Sequence, residues 1–223
     1  MQDLYITNQD GLKLHAYYIP KNNSVATAIL VHGYSGCALQ TLPQAYMYSE
    51  EFSYNVLMLD LVNHAQSEGH ITQMGWKDRI DIIQWIDYIL QIQGNDLPIV
   101  LHGLSMGGAS VLMTAGEKLP SCVKAVIDDS GYTSAYDEFA YEINHKMHIP
   151  ATPLIQAANL VGRLFLGWSY SEASALKQMP KIQLPVFIIH GDKDVRVPLK
   201  YGKLLYEAKT NGRNQVVFGA DNK

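Results

Sequence analysis

Residues 97–108 carry the strongest structural signal in the chain and read Leu-Pro-Ile-Val-Leu-His-Gly-Leu-Ser-Met-Gly-Gly. An apolar run leads into a serine that has a glycine two positions before it and another two positions after it, and helical spacing begins at Met106. A sharp strand-to-helix turn strains its central residue, and flanking glycines let neighbouring backbone pass close by. The pattern therefore predicts that Ser105 lies at the C-terminal edge of a sheet, in front of a helix N-terminus.

Other short apolar runs resemble the one that precedes this turn, and each ends in polar or glycine residues; they occupy residues 26–31, 55–59, 123–127 and 186–189. Such runs are typical of strands buried on both faces of a parallel sheet. Helical patterns lie between them, at 76–93, from 106 towards 118, and at about 199–208. We therefore predict an α/β fold with a mostly parallel central sheet and helices on both faces, in a single domain that spans residues 1–223.

The N-terminal residues predict an exception to the parallel order. Residues 4–7 and 12–19 flank the dipeptide Asp10-Gly11, which supplies the positive φ of a tight turn. We expect an antiparallel hairpin there.

Composition excludes several classes of protein. The 223 residues include 17 basic and 21 acidic side chains, for a net charge of −4, and no block of like charge is present that would favour nucleic-acid binding. Cys37 and Cys122 are far apart and show no metal-ligand spacing, which argues against a disulfide framework or a zinc site. No window approaches the roughly 18 apolar residues of a membrane span. We expect a cytoplasmic protein, although the loss of an N-terminal anchor or signal would leave the same sequence.

A nucleophilic serine needs backbone N–H donors for the oxyanion that forms when it attacks a carbonyl group. The loop after the apolar run 26–31 reads His32-Gly33-Tyr34, where a second donor is expected. We predict that the amides of Tyr34 and Met106 form the oxyanion hole. His32 precedes the serine in the chain and is expected to be a loop residue.

A catalytic serine also needs a carboxylate and a histidine further along the chain. Asp128 and Asp129 follow one predicted strand, and Asp192 and Asp194 follow a later one, in a turn that leads towards Pro198. The second pair is better placed because its turn leads directly into a predicted helix.

Five motifs in this order resemble the α/β-hydrolase superfamily, in particular serine-aminopeptidase-like and bacterial extracytoplasmic-type hydrolases with a small cap. They are residues 32–34, 60–69, 103–108, 129–134 and 190–198. The resemblance implies that Ser105 is the nucleophile, Asp194 the triad acid, and Tyr34 and Met106 the oxyanion amides. It also implies hydrolysis of carboxylic esters or related acyl compounds through an acyl-enzyme, without a metal or organic cofactor.

The chain departs from the family where the catalytic histidine should stand. Gly219-Ala220-Asp221 match the expected turn, but the next position holds Asn222, and all eight histidines precede Asp194. The family's final helix also has no counterpart in the sequence. Loss of a triad member costs on the order of 10⁴ to 10⁶ in turnover. The sequence therefore predicts an impaired serine hydrolase; the alternative is an inactive pseudo-hydrolase that binds a small molecule or a protein.

Three origins of this departure stay open: a shortened form of an active enzyme, a natural truncation, and a non-catalytic descendant. His145 and His148 are poor substitutes for the base because no neighbouring carboxylate is predicted to orient them.

Residues 133–181 interrupt the alternation of strands and helices. The segment contains three prolines and apolar stretches, and it is long for a simple connection. It predicts either a helical crossover or a small lid over the site. Its apolar residues Leu160, Leu164, Phe165, Leu166 and Trp168 could form a substrate wall, although helical spacing of this kind more often marks core. The expected partner is a small acyl substrate, by default a short ester, with peptides and amides also possible; the oligomeric state is not predicted.

Overall fold

The computed structural model describes residues 1–94 and 97–219, and within them eight strands form one sheet. The strands are β1 Gln2–Thr7, β2 Lys13–Ile19, β3 Thr27–Val31, β4 Asn55–Leu59, β5 Ile99–Leu104, β6 Val123–Asp129, β7 Val186–Gly191 and β8 Asn214–Gly219. Their spatial order is β1-β2-β4-β3-β5-β6-β7-β8. The pairs β1–β2 and β2–β4 are antiparallel and the other five are parallel. The predicted hairpin and mostly parallel sheet are confirmed.

Seven α-helices accompany the strands in the described residues: α1 Leu42–Tyr46, α2 Asp78–Gln93, α3 Met106–Ala115, α4 Ala135–Met147, α5 Thr152–Phe165, α6 Ala175–Gln178 and α7 Leu199–Ala208. Short 3₁₀ turns occur at Ala38–Thr41 and Met179–Lys181, and a π turn occurs at Met47–Glu51. None of the helices in the described residues is long and apolar enough to cross a membrane.

Both faces of the sheet are covered, which explains the unbroken apolar runs of its central strands. Successive residues of a strand point to opposite faces. Ile29 of β3 belongs to the larger core, together with Trp85 of α2, whereas Leu30 belongs to a smaller core on the other face, together with Tyr48. All five residues of β3 are buried as a result.

Two predicted helix boundaries were wrong. Helix α2 begins at Asp78 rather than at residue 76, because the Asp78 carboxylate accepts a hydrogen bond from the Gly75 N–H at 2.8 Å and so ends the preceding turn. Helix α3 ends at Ala115 rather than near residue 118, with Gly116 as its C-cap.

Residues 133–181 are mostly helical and connect β6 to β7 through α4, α5 and α6. Helix α4 begins after Ser134, whose hydroxyl accepts a hydrogen bond from the Asp137 N–H at 3.0 Å, as an N-cap residue does. Trp168 is buried, as expected of a core residue. Leu160, Leu164 and Phe165 are instead 60%, 70% and 79% exposed. The expectation of core was therefore wrong for these three, because α5 turns its other side inward.

Candidate active site

The turn between β5 and α3 holds Ser105 in a strained conformation. Its φ of 54° and ψ of −115° place a non-glycine residue at positive φ, which costs free energy and persists only where surrounding contacts enforce it. Two backbone hydrogen bonds do so here: the Ser105 N–H donates to the Asp129 carbonyl at 2.7 Å, and the Ser105 carbonyl accepts from the Ala109 N–H at 3.1 Å.

The glycines on either side of Ser105 are required by close contacts between backbone segments. A Cβ at Gly103 would lie 2.0 Å from the Gly107 carbonyl oxygen, and a Cβ at Gly107 would lie 2.1 Å from the Val31 carbonyl oxygen. These obstacles are main-chain atoms, which cannot rotate away as a flexible side chain can. A side chain at either position would therefore force the main chain of the turn to shift.

The loop that follows β3 lies directly beside the serine. A Cβ at Gly33 would be 3.4 Å from the Ser105 Cβ and 3.9 Å from its Oγ, which brings the neighbouring Tyr34 to the same side of the sheet edge. His32 anchors this loop: its Nδ1 donates to the Gly33 carbonyl at 2.7 Å and its Nε2 accepts from the Leu61 N–H at 3.1 Å.

His32 is uncharged at neutral pH, because burial lowers its pKa to about 4. Its two ring nitrogens are occupied by backbone groups, so it holds the loop in place and has no free lone pair for a proton. His64 is also buried, with its Nδ1 2.9 Å from the Val62 carbonyl oxygen. Both histidines stabilise the loops around the candidate site.

The loop after β7 positions Asp194. One oxygen of its carboxylate, Oδ1, accepts hydrogen bonds from the N–H groups of Arg196 and Val197 at 2.8 and 2.9 Å. His190, at the end of β7, contacts the Val197 carbonyl through Nε2 at 2.9 Å and ties the loop to the sheet. These contacts hold the carboxyl group at the edge of the cleft that contains the serine.

A cleft of about 630 Å³ brings the four predicted site residues together: Tyr34, Ser105, Met106 and Asp194 all line it. Of the other carboxylates considered from the sequence, neither Asp128 nor Asp192 is among the described lining residues, and Asp129 contributes its carbonyl oxygen to the serine turn. Of the carboxylates considered from the sequence, Asp194 is the one that lies in the described lining of the cleft.

Asp128 lies beneath the serine turn and is fully buried. A Cβ at either Gly108 or Gly131 would lie 2.1 Å from its Oδ1, so two glycines make room for its carboxyl group. Burial raises the pKa of Asp128 to about 8, with a smaller contribution from the charge of the neighbouring Asp129. Asp128 is therefore largely protonated at neutral pH and fills space under the turn.

Sequence reasoning missed a charged wall of the cleft. Helix α4 contributes Glu138, Glu142 and Lys146, and the loop beside Asp194 contributes Arg196. The spacing of four residues places the three α4 side chains on one helix face, and this pattern was available in the sequence as a signal. Lys146 forms an ion pair with Glu142, and no ion pair of Glu138 is found among the described residues.

Glu138 has an unusual environment for a glutamate. Its Oε2 atom is buried and has no hydrogen-bond partner among the described residues. Burial, the charge of Glu142 and the charge of Asp194 together raise the pKa of Glu138 to about 7, against weaker opposing effects of Lys146 and Arg196. A carboxyl group that is partly protonated at neutral pH therefore lines the cleft and can donate or accept a hydrogen bond there.

The described part of the cleft wall contains no histidine. His145 and His148 are exposed at the C-terminal end of α4 and are not among the described lining residues. Residues 220–223, which include Asn222, lie outside the described residues, so the prediction about the missing base stays a prediction. Residues 1–94 and 97–219 also contain no cluster of histidine, cysteine and acidic side chains that could hold a metal ion.

Residues 29–164, which make up more than half of the chain, match the family described as alpha/beta hydrolase fold. The chain belongs to this family. The family resemblance that the sequence suggested is confirmed, together with the fold.

Two curated relatives carry names that describe them as uncharacterised proteins. The chain is similar to YqkD of Bacillus subtilis, with 27% identity over 199 residues that cover 89% of this chain and 65% of the relative. It is also similar to YfhR of Escherichia coli strain K12, with 27% identity over 214 residues that cover 92% of this chain and 67% of the relative. The chain thus spans about two thirds of the length of these relatives.

Solved structures share the fold at lower sequence identity. The esterase Pf2001 of Pyrococcus furiosus has a TM-score of 0.78 and 23% identity, over 98% of this chain and 82% of that chain. Est1E of Butyrivibrio proteoclasticus, solved with ferulic acid, has a TM-score of 0.66 and 21% identity, over 97% of this chain and 89% of that chain. An acylaminoacyl peptidase of Pyrococcus horikoshii has a TM-score of 0.67 and 16% identity, over 98% of this chain and 36% of that chain.

Proposed function

We propose that the protein is a serine hydrolase that cleaves small carboxylic esters through an acyl-enzyme on Ser105, with Asp194 as triad acid. The observation that carries the proposal is the strained turn of Ser105, held by close backbone contacts at the mouth of a cleft that Asp194 also lines. Strain of this kind is retained where it serves a site. The membership of the chain in the α/β-hydrolase family supports the same activity.

In the proposed reaction the Ser105 Oγ attacks the ester carbonyl carbon as its O–H bond breaks. The oxyanion is stabilised by the N–H groups of Tyr34 and Met106 and by the N-terminus of α3. The C–O bond of the ester then breaks, and the alcohol leaves with the proton. Attack of water on the acyl-serine releases the carboxylic acid and restores the hydroxyl group.

We expect turnover to be slow, because Asn222 stands where the family's histidine would accept the serine proton. An asparagine side chain has no basic lone pair for this role. Esters with good leaving groups are the expected substrates, since an amine leaving group must be protonated as it departs. Peptides, which the acylaminoacyl peptidases of similar fold cleave according to their name, are therefore less suited to this chain.

A fluorophosphonate probe tests the nucleophile directly. Labelling of the protein that disappears in Ser105→Ala supports the proposal, and equal labelling of both proteins refutes it. Ser110→Ala is the matched control, because Ser110 lies in α3, which follows Ser105, and its hydroxyl donates to the Met106 carbonyl inside the helix.

The alternative is a pseudo-hydrolase that binds a ligand without turnover, and the observation that favours it is Asn222 itself. Restoring the base with Asn222→His should raise the hydrolysis of a p-nitrophenyl ester by about 10²- to 10⁴-fold. The gain should disappear when Asp194→Ala is added, and it should persist with Asp192→Ala, an exposed neighbour in the same loop. No gain in the restored protein, together with no labelling of Ser105, favours the binding role.

A further inference from the structure

A second cavity lies at the edge of the sheet opposite to Ser105. It has a volume of about 470 Å³ and shares no described lining residue with the cleft. Ser105 follows the C-terminal end of β5, whereas this cavity is lined by Val123, the first residue of β6, and by Pro185, which directly precedes β7. Strands β5, β6 and β7 are parallel, so the two cavities lie at opposite ends of the strands. We refer to the second cavity, whose lining comes from residues 115–124 and 181–185, as the basal groove.

Three lysines from separate segments of the chain line the basal groove. Lys118 lies in the connection from α3 to β6, Lys124 lies in β6, and Lys181 ends the 3₁₀ turn that precedes β7. Because these lysines are far apart in the sequence, they form no block of like charge there. The fold is what brings them to one cavity.

The charges of these lysines are not neutralised by neighbours. None of the three forms an ion pair within residues 1–94 and 97–219. The Lys124 Nζ donates a hydrogen bond to the Ser121 carbonyl at 2.6 Å, which is a neutral acceptor. The acidic residue of the described lining is Glu117, and its carboxylate already pairs with Arg79 at 2.8 Å. The basal groove is therefore positively charged, although the whole chain has a net charge of −4.

Most of the other lining residues of the basal groove are apolar. Ala115 and Val123 are buried, and the half-buried Leu119 and Leu184 pack against the larger core. An apolar chain that covers such a wall removes apolar surface from water, which favours binding. Apolar wall and unpaired cations together match a ligand that has an apolar body and an anionic head group.

The size of the basal groove favours a small molecule as its occupant. Ligand sites in proteins have volumes of roughly 300–1,000 Å³, and the volume of the groove, about 470 Å³, lies within this range. A nucleic acid needs basic side chains along an extended stripe, whereas these lysines converge on one cavity. A bare inorganic anion would leave the apolar wall uncovered.

We propose that the basal groove binds a small amphiphilic anion, whose head group contacts the three lysines and whose apolar chain lies on the wall formed by residues such as Leu119 and Leu184. The groove is a second site, separate from the candidate active site. Binding there goes beyond the proposed esterase activity and does not depend on it.

Isothermal titration of the whole chain with octanoate tests the proposal. The Ser105→Ala variant is titrated in parallel, so that acylation plays no part. We expect saturable binding in both proteins, at least about tenfold tighter than the binding of octanol or of inorganic phosphate, because octanol lacks the charge and phosphate lacks the apolar chain. Octyl phosphate is titrated as well, and the tighter of the two amphiphiles identifies the head group as carboxylate or phosphate.

Substitution of two lysines assigns the binding to the basal groove. Lys118→Glu/Lys181→Glu should weaken octanoate binding at least about tenfold, because two attractive charges become repulsive. Lys118→Gln/Lys181→Gln removes the same charges without adding repulsion, and it should weaken binding about threefold.

A matched control separates the groove from the net charge of the protein. Lys200→Glu/Lys203→Glu makes the same change of charge at two exposed lysines of α7 that are in the described lining of neither cavity, and it should bind octanoate like the unmodified chain. Circular dichroism and thermal unfolding should show that each variant is folded. Absence of saturable octanoate binding, equally tight binding of inorganic phosphate or octanol, or an equal loss in the α7 control overturns the proposal. So does octanoate binding that neither substitution of Lys118 and Lys181 weakens.

Discussion

The substitution Glu138→Gln tests the electrostatics of the cleft. Glu138 has an ordinary pKa of 4.5, which burial and the charges of Glu142 and Asp194 raise to about 7 in the folded protein. At a pH between these two pKa values, the unfolded chain has released the Glu138 proton, whereas the folded protein has kept it. The free energy of unfolding therefore falls as pH rises from about 4.5 through 7.

The size of the effect follows from the pKa values. A rise from 4.5 to about 7 on folding corresponds to a penalty of roughly 3 kcal/mol once the pH is well above 7. The cleft is open to solvent, which screens part of this penalty, so we expect about 1–2 kcal/mol. Glutamine has nearly the same shape and no charge. The variant should therefore gain about 1–2 kcal/mol relative to the unmodified protein between pH 5 and pH 8.

Urea unfolding at pH 5, 6, 7 and 8 measures this difference. Other buried carboxyl groups, such as Asp128, also change stability with pH, but they do so in both proteins and cancel in the comparison. The control is Glu207→Gln, because Glu207 is an exposed glutamate on α7. The free energy of unfolding of this variant relative to the unmodified protein should change by less than about 0.5 kcal/mol over the same pH range. A constant difference between Glu138→Gln and the unmodified protein at all four pH values would refute the reasoning.

Three further substitutions test the geometry of the site by thermal or urea unfolding. Gly103→Ala places a Cβ 2.0 Å from main-chain oxygen and should cost about 3 kcal/mol or more, whereas Gly219→Ala, with no atom within 4 Å, should cost less than about 1 kcal/mol. Ser134→Ala removes the N-cap of α4 and should cost about 1 kcal/mol. Tyr132→Phe removes a buried hydrogen bond of 3.1 Å to the Met74 carbonyl and should cost about 1–2 kcal/mol.

The comparison of Gly103→Ala with Gly219→Ala is the most informative of these tests, because the same methyl group is added in both variants. Equal stability of Gly103→Ala and Gly219→Ala would mean that the main chain around the serine turn can move apart. Fluorophosphonate labelling of Gly103→Ala should also fall, since a displaced turn no longer presents Ser105 to the cleft.

Local patterns were sufficient for most of the architecture. The central strands were predicted from unbroken apolar runs, since a strand covered on both faces can expose no polar side chain. The serine turn was predicted from two glycines at fixed spacing, because the backbone contacts that require them lie within a few residues in the sequence or on the next strand. Helix ends were less accurate. Gly116 ends α3, and the hydrogen bond from the Gly75 N–H to the Asp78 carboxylate precedes α2, at positions where the helical pattern of the sequence continues.

The charged cleft wall needed the tertiary structure. The spacing of Glu138, Glu142 and Lys146 places them on one face of a helix, but the sequence does not say that this face lies opposite Asp194. The raised pKa of Glu138 results from that proximity and from burial by residues far along the chain. Neither is encoded in a local pattern.

In helix α5, too, the sequence determined one property and the tertiary structure another. Its sequence determined that it is amphipathic, because the order of apolar residues along a helix is a local property. Which face points outward was decided by packing of Gly162 on the Trp168 carbonyl and of Ile155 in the interior. In the same way, the sequence by itself determined the family, the sheet and the position of Ser105. The resemblance already implied Asp194 as the acid, but only the tertiary structure shows its residue in the lining of the cleft together with the serine, because that depends on distances between loops that follow different strands.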